Sequence, residues 1–178
     1  MDITVREARA GELAAVGELV AQAYLGDGLL TFGAADPYLA ELRDTARRAR
    51  HAEVLVATGP GAEGRDPLLG SVTFVGSGGE FADIAGPGEA EFRMLAVAAR
   101  ARGRGAGEAL VRGCVRRARR LGHRRVVLSS QWRMHAAHRL YARLGFVRAP
   151  ERDWEPVPGL PLRVFTRELE GSAVRTEG

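Results

Sequence analysis

The stretch that most constrains this chain lies mid-sequence, over residues 94–110, MLAVAARARGRGAGEAL. It reads as a strand that runs into the turn Arg102-Gly103-Arg104-Gly105-Ala106-Gly107, with a helix beginning at once. Glycines let backbone turn sharply and come close to a ligand. The first N–H groups of a helix have no acceptor within it and, with the helix dipole, favour an anion such as a pyrophosphate. Arg102 and Arg104 add charge and forked donors. Such a turn can also be a plain loop without a ligand. A dinucleotide-binding turn wants Gly-x-Gly-x-x-Gly near the start of a βαβ unit and an acidic residue about 20 positions later. Here the spacing differs, and 122–127 is basic. A phosphate loop of the Gly-Lys-Ser/Thr kind is excluded, because all 26 Lys+Arg residues are arginine.

The rest of the pattern alternates strands and helices. Residues 3–8 read as a strand and 10–24 as a helix, with a glycine-rich loop over 25–35. Asp36-Pro37 is an N-cap and first-turn pair for a second helix reaching about Ala52. Strands over 53–58 and 69–75 form a hairpin, and a glycine-rich loop over 76–89 carries Glu80, Asp83 and Glu89. In the strand 90–98, strict alternation places Phe92, Met94 and Ala96 on one face and Glu91, Arg93, Leu95 and Val97 on the other. A helix over 105–121 has the apolar stripe Leu110, Cys114, Ala118 and Leu121, with Gly122 as its C′ residue. A strand over 125–129, a helix over 133–144, a short strand over 146–148 and a last strand over 162–169 complete the order. These elements predict one α/β (α+β) domain over 1–170, a mixed, mostly antiparallel central sheet flanked by helices, with a flexible tail over 171–178.

Composition narrows the function classes. At 46% hydrophobic and 27% charged residues, the 178-residue chain is an ordinary globular domain rather than a disordered one. No apolar run is long enough for a membrane span, and the N-terminus lacks a secretory signal, so the expected location is cytoplasmic. One cysteine, Cys114, excludes an internal disulfide and cysteine-based metal clusters. His135 and His138 share a helix face but find no third ligand nearby, so no metal is expected. The pI near 10.1 comes with abundant Arg, Ala and Gly, the mark of a GC-rich genome. It argues weakly for a nucleic-acid partner, because no aromatic residues interleave with the arginines of 112–125.

Two motifs at a fixed separation resemble one family. Arg102-Gly103-Arg104-Gly105-Ala106-Gly107 resembles the Arg/Gln-x-x-Gly-x-Gly/Ala motif of the GNAT acetyltransferase superfamily, and the preceding MLAV resembles its fourth strand. Leu140-Tyr141-Ala142-Arg143-Leu144-Gly145-Phe146 resembles the family's second hallmark, a helix ending in LY-x-x-LGF. The resemblance covers about 3–169 and is strongest over 91–148. It implies a GNAT-like fold, acetyl-CoA as co-substrate and transfer of the acetyl group to a primary amine of a small molecule or peptide. Leu95, Ala96 and Val97 would take the pantetheine arm as an added strand, with the Leu95 N–H as donor to the thioester carbonyl. The N–H groups from Arg102 through Gly107 would hold the pyrophosphate. Tyr141 is the implied general acid toward the leaving thiolate and Glu91 the implied base, with Glu89 as a second candidate. The chain departs from the family where many members carry Asn before the helix tyrosine: Met134 and His135 stand there, and Ser129, Ser130 or Gln131 would have to substitute. A catalytically silent acyl-CoA binder and a basic nucleic-acid module are the alternatives. The amine's identity and the oligomeric state, a homodimer included, stay open. The acidic residues of 76–89 and 149–161 suggest a cationic acceptor, with Trp154 as a cation–π partner.

Overall fold

A computed structural model describes residues 2–76 and 78–170. The expected tail over 171–178 lies outside the described residues. The element order is β1 (Thr4–Glu7), α1 (Leu13–Gly26), α2 (Tyr38–Arg43), α3 (Thr45–His51), β2 (Glu53–Thr58), β3 (Leu68–Val75), β4 (Glu89–Val97), α4 (Ala106–Arg120), β5 (Arg125–Gln131), α5 (His135–Arg143), β6 (Val147–Arg148) and β7 (Leu162–Glu168). The strands form one seven-stranded sheet in the order β1-β2-β3-β4-β5-β7-β6. All neighbours are antiparallel except β4 and β5.

The single helix expected over 36–52 is two. Asp44, at φ −80° and ψ 61°, breaks it, and its side chain accepts from the Arg47 N–H to start α3. An aspartate whose short carboxylate can reach a backbone amide three residues on serves the cap better than the helix interior. Leu121 is half exposed rather than part of the stripe, because α4 ends at Arg120. Gly122 follows in the left-handed region at φ 80°, as a C′ glycine should.

The sheet separates two apolar layers. One packs Leu110, Val111, Cys114 and Ala118 of α4 against Phe74, Phe92, Val126 and Leu128, and continues into Tyr141, Phe146 and Phe165. The other packs Val16, Val20 and Ala21 of α1 and Leu39 and Leu42 of α2 against Val54, Val56, Met94 and Ala96. The layers show where strict alternation in β4 fails. Phe92 faces α4, but Met94 and Ala96 face α1, and Leu95 and Val97 pack on the α4 side. The register against β3 slips there, from Thr73↔Arg93 to Ser71↔Ala96, and Met94 takes φ 54°. This is a β-bulge, one extra residue that flips every side chain after it. Glu91, on the expected face with Leu95 and Val97, therefore lies on the opposite side of the sheet from them.

Candidate active site

The bulge sits where β4 leaves β5. These parallel strands pair only over Glu89↔Arg125, Ala90↔Val126 and Glu91↔Val127, and then diverge. Beyond Glu91 the strand keeps β3 on one side and opens on the other. The Ala98 N–H donates to Leu69 O on β3 at 2.8 Å. Backbone direction alternates every residue, so the N–H groups of Leu95 and Val97 point into the gap. At the far end of the gap lies the N-terminus of α4. Gly103 and Gly105 turn the chain into it at φ 72° and 91°.

A cavity of about 830 Å³ occupies this angle. Leu95, Ala96, Val97, Arg102, Gly103, Gly105, Ala106 and Gly107 all line it. Arg104, expected with them, is exposed and does not, because its side chain leaves the turn on the solvent side. Arginines from α5 and the turn before it, Arg133, Arg139 and Arg143, complete a cationic wall that the α4-centred basic run did not suggest. Arg112, within that run, is taken up by Glu108 at 2.8 Å. Of the acids on the cavity wall, Asp27 holds Arg102 through both oxygens at 2.8 and 3.0 Å, and Glu108 is the Arg112 partner. Much of the remaining lining is apolar, with Leu29, Leu95, Val97 and Leu140, and Tyr24 and His135 stand among it. A Cβ on Gly107 would point at Leu140 Cδ2 and Val97 Cγ2, 3.4 and 3.5 Å away, so its absence keeps the slot open. An apolar trough with free strand N–H groups, ending at a helix N-terminus among arginines, fits a thioester on a long arm with phosphates at its end.

Tyr141 and Glu91 do not line this cavity. Tyr141 is 2% exposed, one position after Leu140, with its ring 5.6–6.0 Å from Phe165, Phe146 and Phe92. Burial pushes its phenol well above the ordinary value, so it stays protonated through neutral pH. Glu91 is 1% exposed on the α1–α2 side, and its Oε2 accepts the N–H groups of Asp83, Ile84 and Ala85 at 3.0–3.1 Å. Burial raises its carboxyl above the usual carboxylate range, against the pull of these amides and of Arg93. The only fully enclosed side-chain nitrogen or oxygen without a partner among the described residues is Arg48 Nε. The Tyr141 hydroxyl and Glu91 Oε1 take no hydrogen-bond partner among the described residues and are not fully enclosed by them.

Glu89 is differently placed. Its carboxylate holds Arg152 through both oxygens, Arg125 through one and the Gly86 N–H through the other, all near 2.9 Å. Burial works upward on it but is outweighed by Arg152, Gly86 and Arg125, which hold it down at about 2. It stays ionised through neutral pH and ties Arg152 to β4. The residues offered in place of the missing Asn are also engaged. Ser129 Oγ accepts from Trp154 Nε1, Ser130 Oγ pairs with His138 Nε2 at 3.0 Å, and Gln131 Nε2 donates to Leu29 O. The acids expected to draw in a cation are mostly matched by arginine: Glu80 with Arg47, Asp83 with Arg93, and Asp153 with Arg148.

A slot between splayed strands, closed by an anion-ready helix, defines a class of enzyme that lays a phosphorylated acyl carrier along a strand edge. Comparison with known families matches residues 20–146 to the Acetyltransferase (GNAT) family. Among solved structures, the chain is similar to an acetyltransferase of the GNAT family from Staphylococcus aureus Mu50, with TM-score 0.72, 13% identity, 95% of this chain and 100% of that one. It is similar also to a GCN5-related N-acetyltransferase from Kribbella flavida, with TM-score 0.66, 28% identity, and 94% and 98% covered. A third is the GNAT superfamily phosphinothricin acetyltransferase from Sinorhizobium meliloti in complex with acetyl-CoA, with TM-score 0.69, 24% identity, and 100% and 95% covered. Curated protein sequences yield no match. The chain belongs to the GNAT acetyltransferase family and is an acetyltransferase.

Proposed function

We propose that the protein transfers the acetyl group of acetyl-CoA directly to a primary amine, within a complex holding both substrates. The observation that carries this reading is the gap between β4 and β5, with the Leu95 and Val97 N–H groups facing it and the α4 N-terminus at its end. In this reading Ala96 and Val97 align the pantetheine arm, and the Leu95 N–H polarises the thioester carbonyl. The backbone N–H groups from Arg102 to Gly107 hold the pyrophosphate. Arg133, Arg139 and Arg143 supply the remaining positive charge.

Tyr141 is assigned as the acid that protonates the departing thiolate. A phenol kept protonated by burial, with a hydroxyl free of partners among the described residues, is suited to that step. Glu91 is assigned as the base that takes the ammonium proton, directly or through water. Its support is a raised affinity for protons, a second oxygen without a donor among the described residues, and a place on the α1–α2 side, opposite Leu95. Once neutral, the amine attacks the acetyl carbon; as the C–S bond breaks the thiolate takes the proton of Tyr141, and the proton that the nitrogen sheds in becoming an amide restores the phenol. No acyl-enzyme is invoked. The single thiol, Cys114, is fully buried in α4, and burial pushes its proton affinity up, so it is no nucleophile. A small-molecule acceptor in the cytoplasm is the companion proposal. Among the described residues no helix is long and apolar enough to cross a membrane.

Thiol release from acetyl-CoA across an amine panel tests the reading. Initial-rate lines that intersect are expected; parallel lines would replace direct transfer by a covalent route. Acetyl-CoA binding without thiol release for any amine would leave a silent binder.

A further inference from the structure

The chain has two tryptophans, and both line one groove of about 440 Å³. Its other walls include Asp153, Glu155, Pro161 and Arg163. Resting on the acetyltransferase reading, we infer that this groove holds the side group of the acceptor, and that the group is a flat aromatic or apolar one on a primary amine.

Position is the first argument. The turn after β5 divides the groove from the acetyl-CoA cavity. Arg133 and Met134 face the cavity, while Trp132 faces the groove. Trp154 is anchored on the α1–α2 side of the sheet, where Glu91 lies. Its Nε1 donates to Ser129 Oγ at 2.9 Å, and its backbone bridges Leu162 in both directions. Ser129 and Gln131 alternate with Leu128 and Ser130, which face α4 and α5, and Gln131 reaches Leu29 O beside α1. An amine at the open end of the β4–β5 gap therefore has the groove as a neighbour.

Charge is the second argument. Both oxygens of Asp153 are held by Arg148, at 2.7 and 2.8 Å, and Oδ1 also accepts the Val164 N–H. Glu155 accepts the Gly159 N–H, and Arg163 lines the same groove. Carboxylates and guanidinium nearly balance, so the groove has little preference for an ion. What it offers besides is indole surface. Trp132 is 46% exposed, a costly state for so large an apolar ring, even with the Arg133 guanidinium over it at 5.5 Å and the His135 ring edge-on at 6.3 Å. The volume suits a ring system rather than a folded partner.

The test compares phenethylamine with n-propylamine as acceptors, and uses tryptophan fluorescence as a second readout. The wild-type kcat/KM ratio should favour phenethylamine by about tenfold or more, the effect of one aromatic contact. Trp132→Ala should collapse that ratio and Trp132→Phe should restore most of it, with acetyl-CoA affinity by calorimetry as the check on folding. A ratio near one in the wild type, or one unmoved by Trp132→Ala in a protein that still binds acetyl-CoA, overturns the inference. Since both tryptophans line the groove, phenethylamine should quench their emission saturably even without turnover. If no amine is acetylated, the acetyltransferase reading fails and the quench alone decides the groove: saturable quenching supports it and none overturns it.

Discussion

At the scale of single residues, Tyr141 and Glu91 show how burial tunes protons in opposite service. Tyr141→Phe keeps the ring against Phe92, Phe146 and Phe165 and removes only the hydroxyl. Turnover is expected to fall about a hundredfold with acetyl-CoA affinity little changed, because the hydroxyl acts as the thiolate develops. Single-turnover rates beside calorimetry check this, and wild-type turnover at every pH would remove Tyr141 from the chemistry. Glu91→Gln keeps an oxygen for the Asp83, Ile84 and Ala85 amides. As base, Glu91 must be ionised, so wild-type kcat/KM should fall as pH drops through a carboxyl constant above the ordinary 4.5. The variant should lose rate and this limb together. Stability runs the other way. A carboxyl with its constant raised by folding favours the fold below its unfolded value and loses that contribution as pH rises through the folded one. Melting temperature against pH should show the Gln variant escaping that loss.

Among elements, two glycines of one turn should fail differently. Gly107→Ala puts a Cβ toward Leu140 and Val97 at ordinary contact distance, so the fold should survive while acetyl-CoA binding weakens. Gly105→Val meets little but Ile3, yet must hold φ 91°, at a cost of about 1–2 kcal/mol. Thermal melts and calorimetry on the pair separate blocked slot from strained turn. The closed end of the β4–β5 gap has its own test. Glu89→Gln should destabilise the protein by about 3 kcal/mol at neutral pH, since two arginines lose a buried partner. The wild-type contribution of Glu89, whose constant is lowered from 4.5 to about 2, is present above 4.5 and drains away as pH falls through the folded value. Denaturation midpoints in acid should therefore converge. Much of this was legible in the chain. The run into Gly103 and Gly105 marked the helix start, and Leu140–Phe146 marked the second half of the slot. The bulge was not, because Met94 is an ordinary strand residue and only the packing on both faces of the sheet reverses it. Nor were the ties Glu89–Arg152 and Ser129–Trp154, which join residues 63 and 25 positions apart. The α2–α3 break could have been suspected from Asp44 followed three residues later by an amide it can reach.

For the whole molecule, the seven strands make a continuous sheet only in part. β1 to β4 form one ladder and β5, β7 and β6 another, joined across the three pairs from Glu89↔Arg125 to Glu91↔Val127. Beyond that seam, the amides of Leu95 and Val97 lie in the centre of the protein without a neighbouring strand to receive them. Protection from solvent exchange should therefore be uneven in an unexpected place. The Leu95 and Val97 amides should trade hydrogen for deuterium far faster than those of Val126 or Val164, deep in the same sheet, and slow sharply once acetyl-CoA is added. Residue-resolved exchange with and without acetyl-CoA reads this directly, and uniform protection along β4 would contradict it. The substrate then acts as the missing rung between two half-sheets, and heat resistance should climb with its concentration as mass action requires.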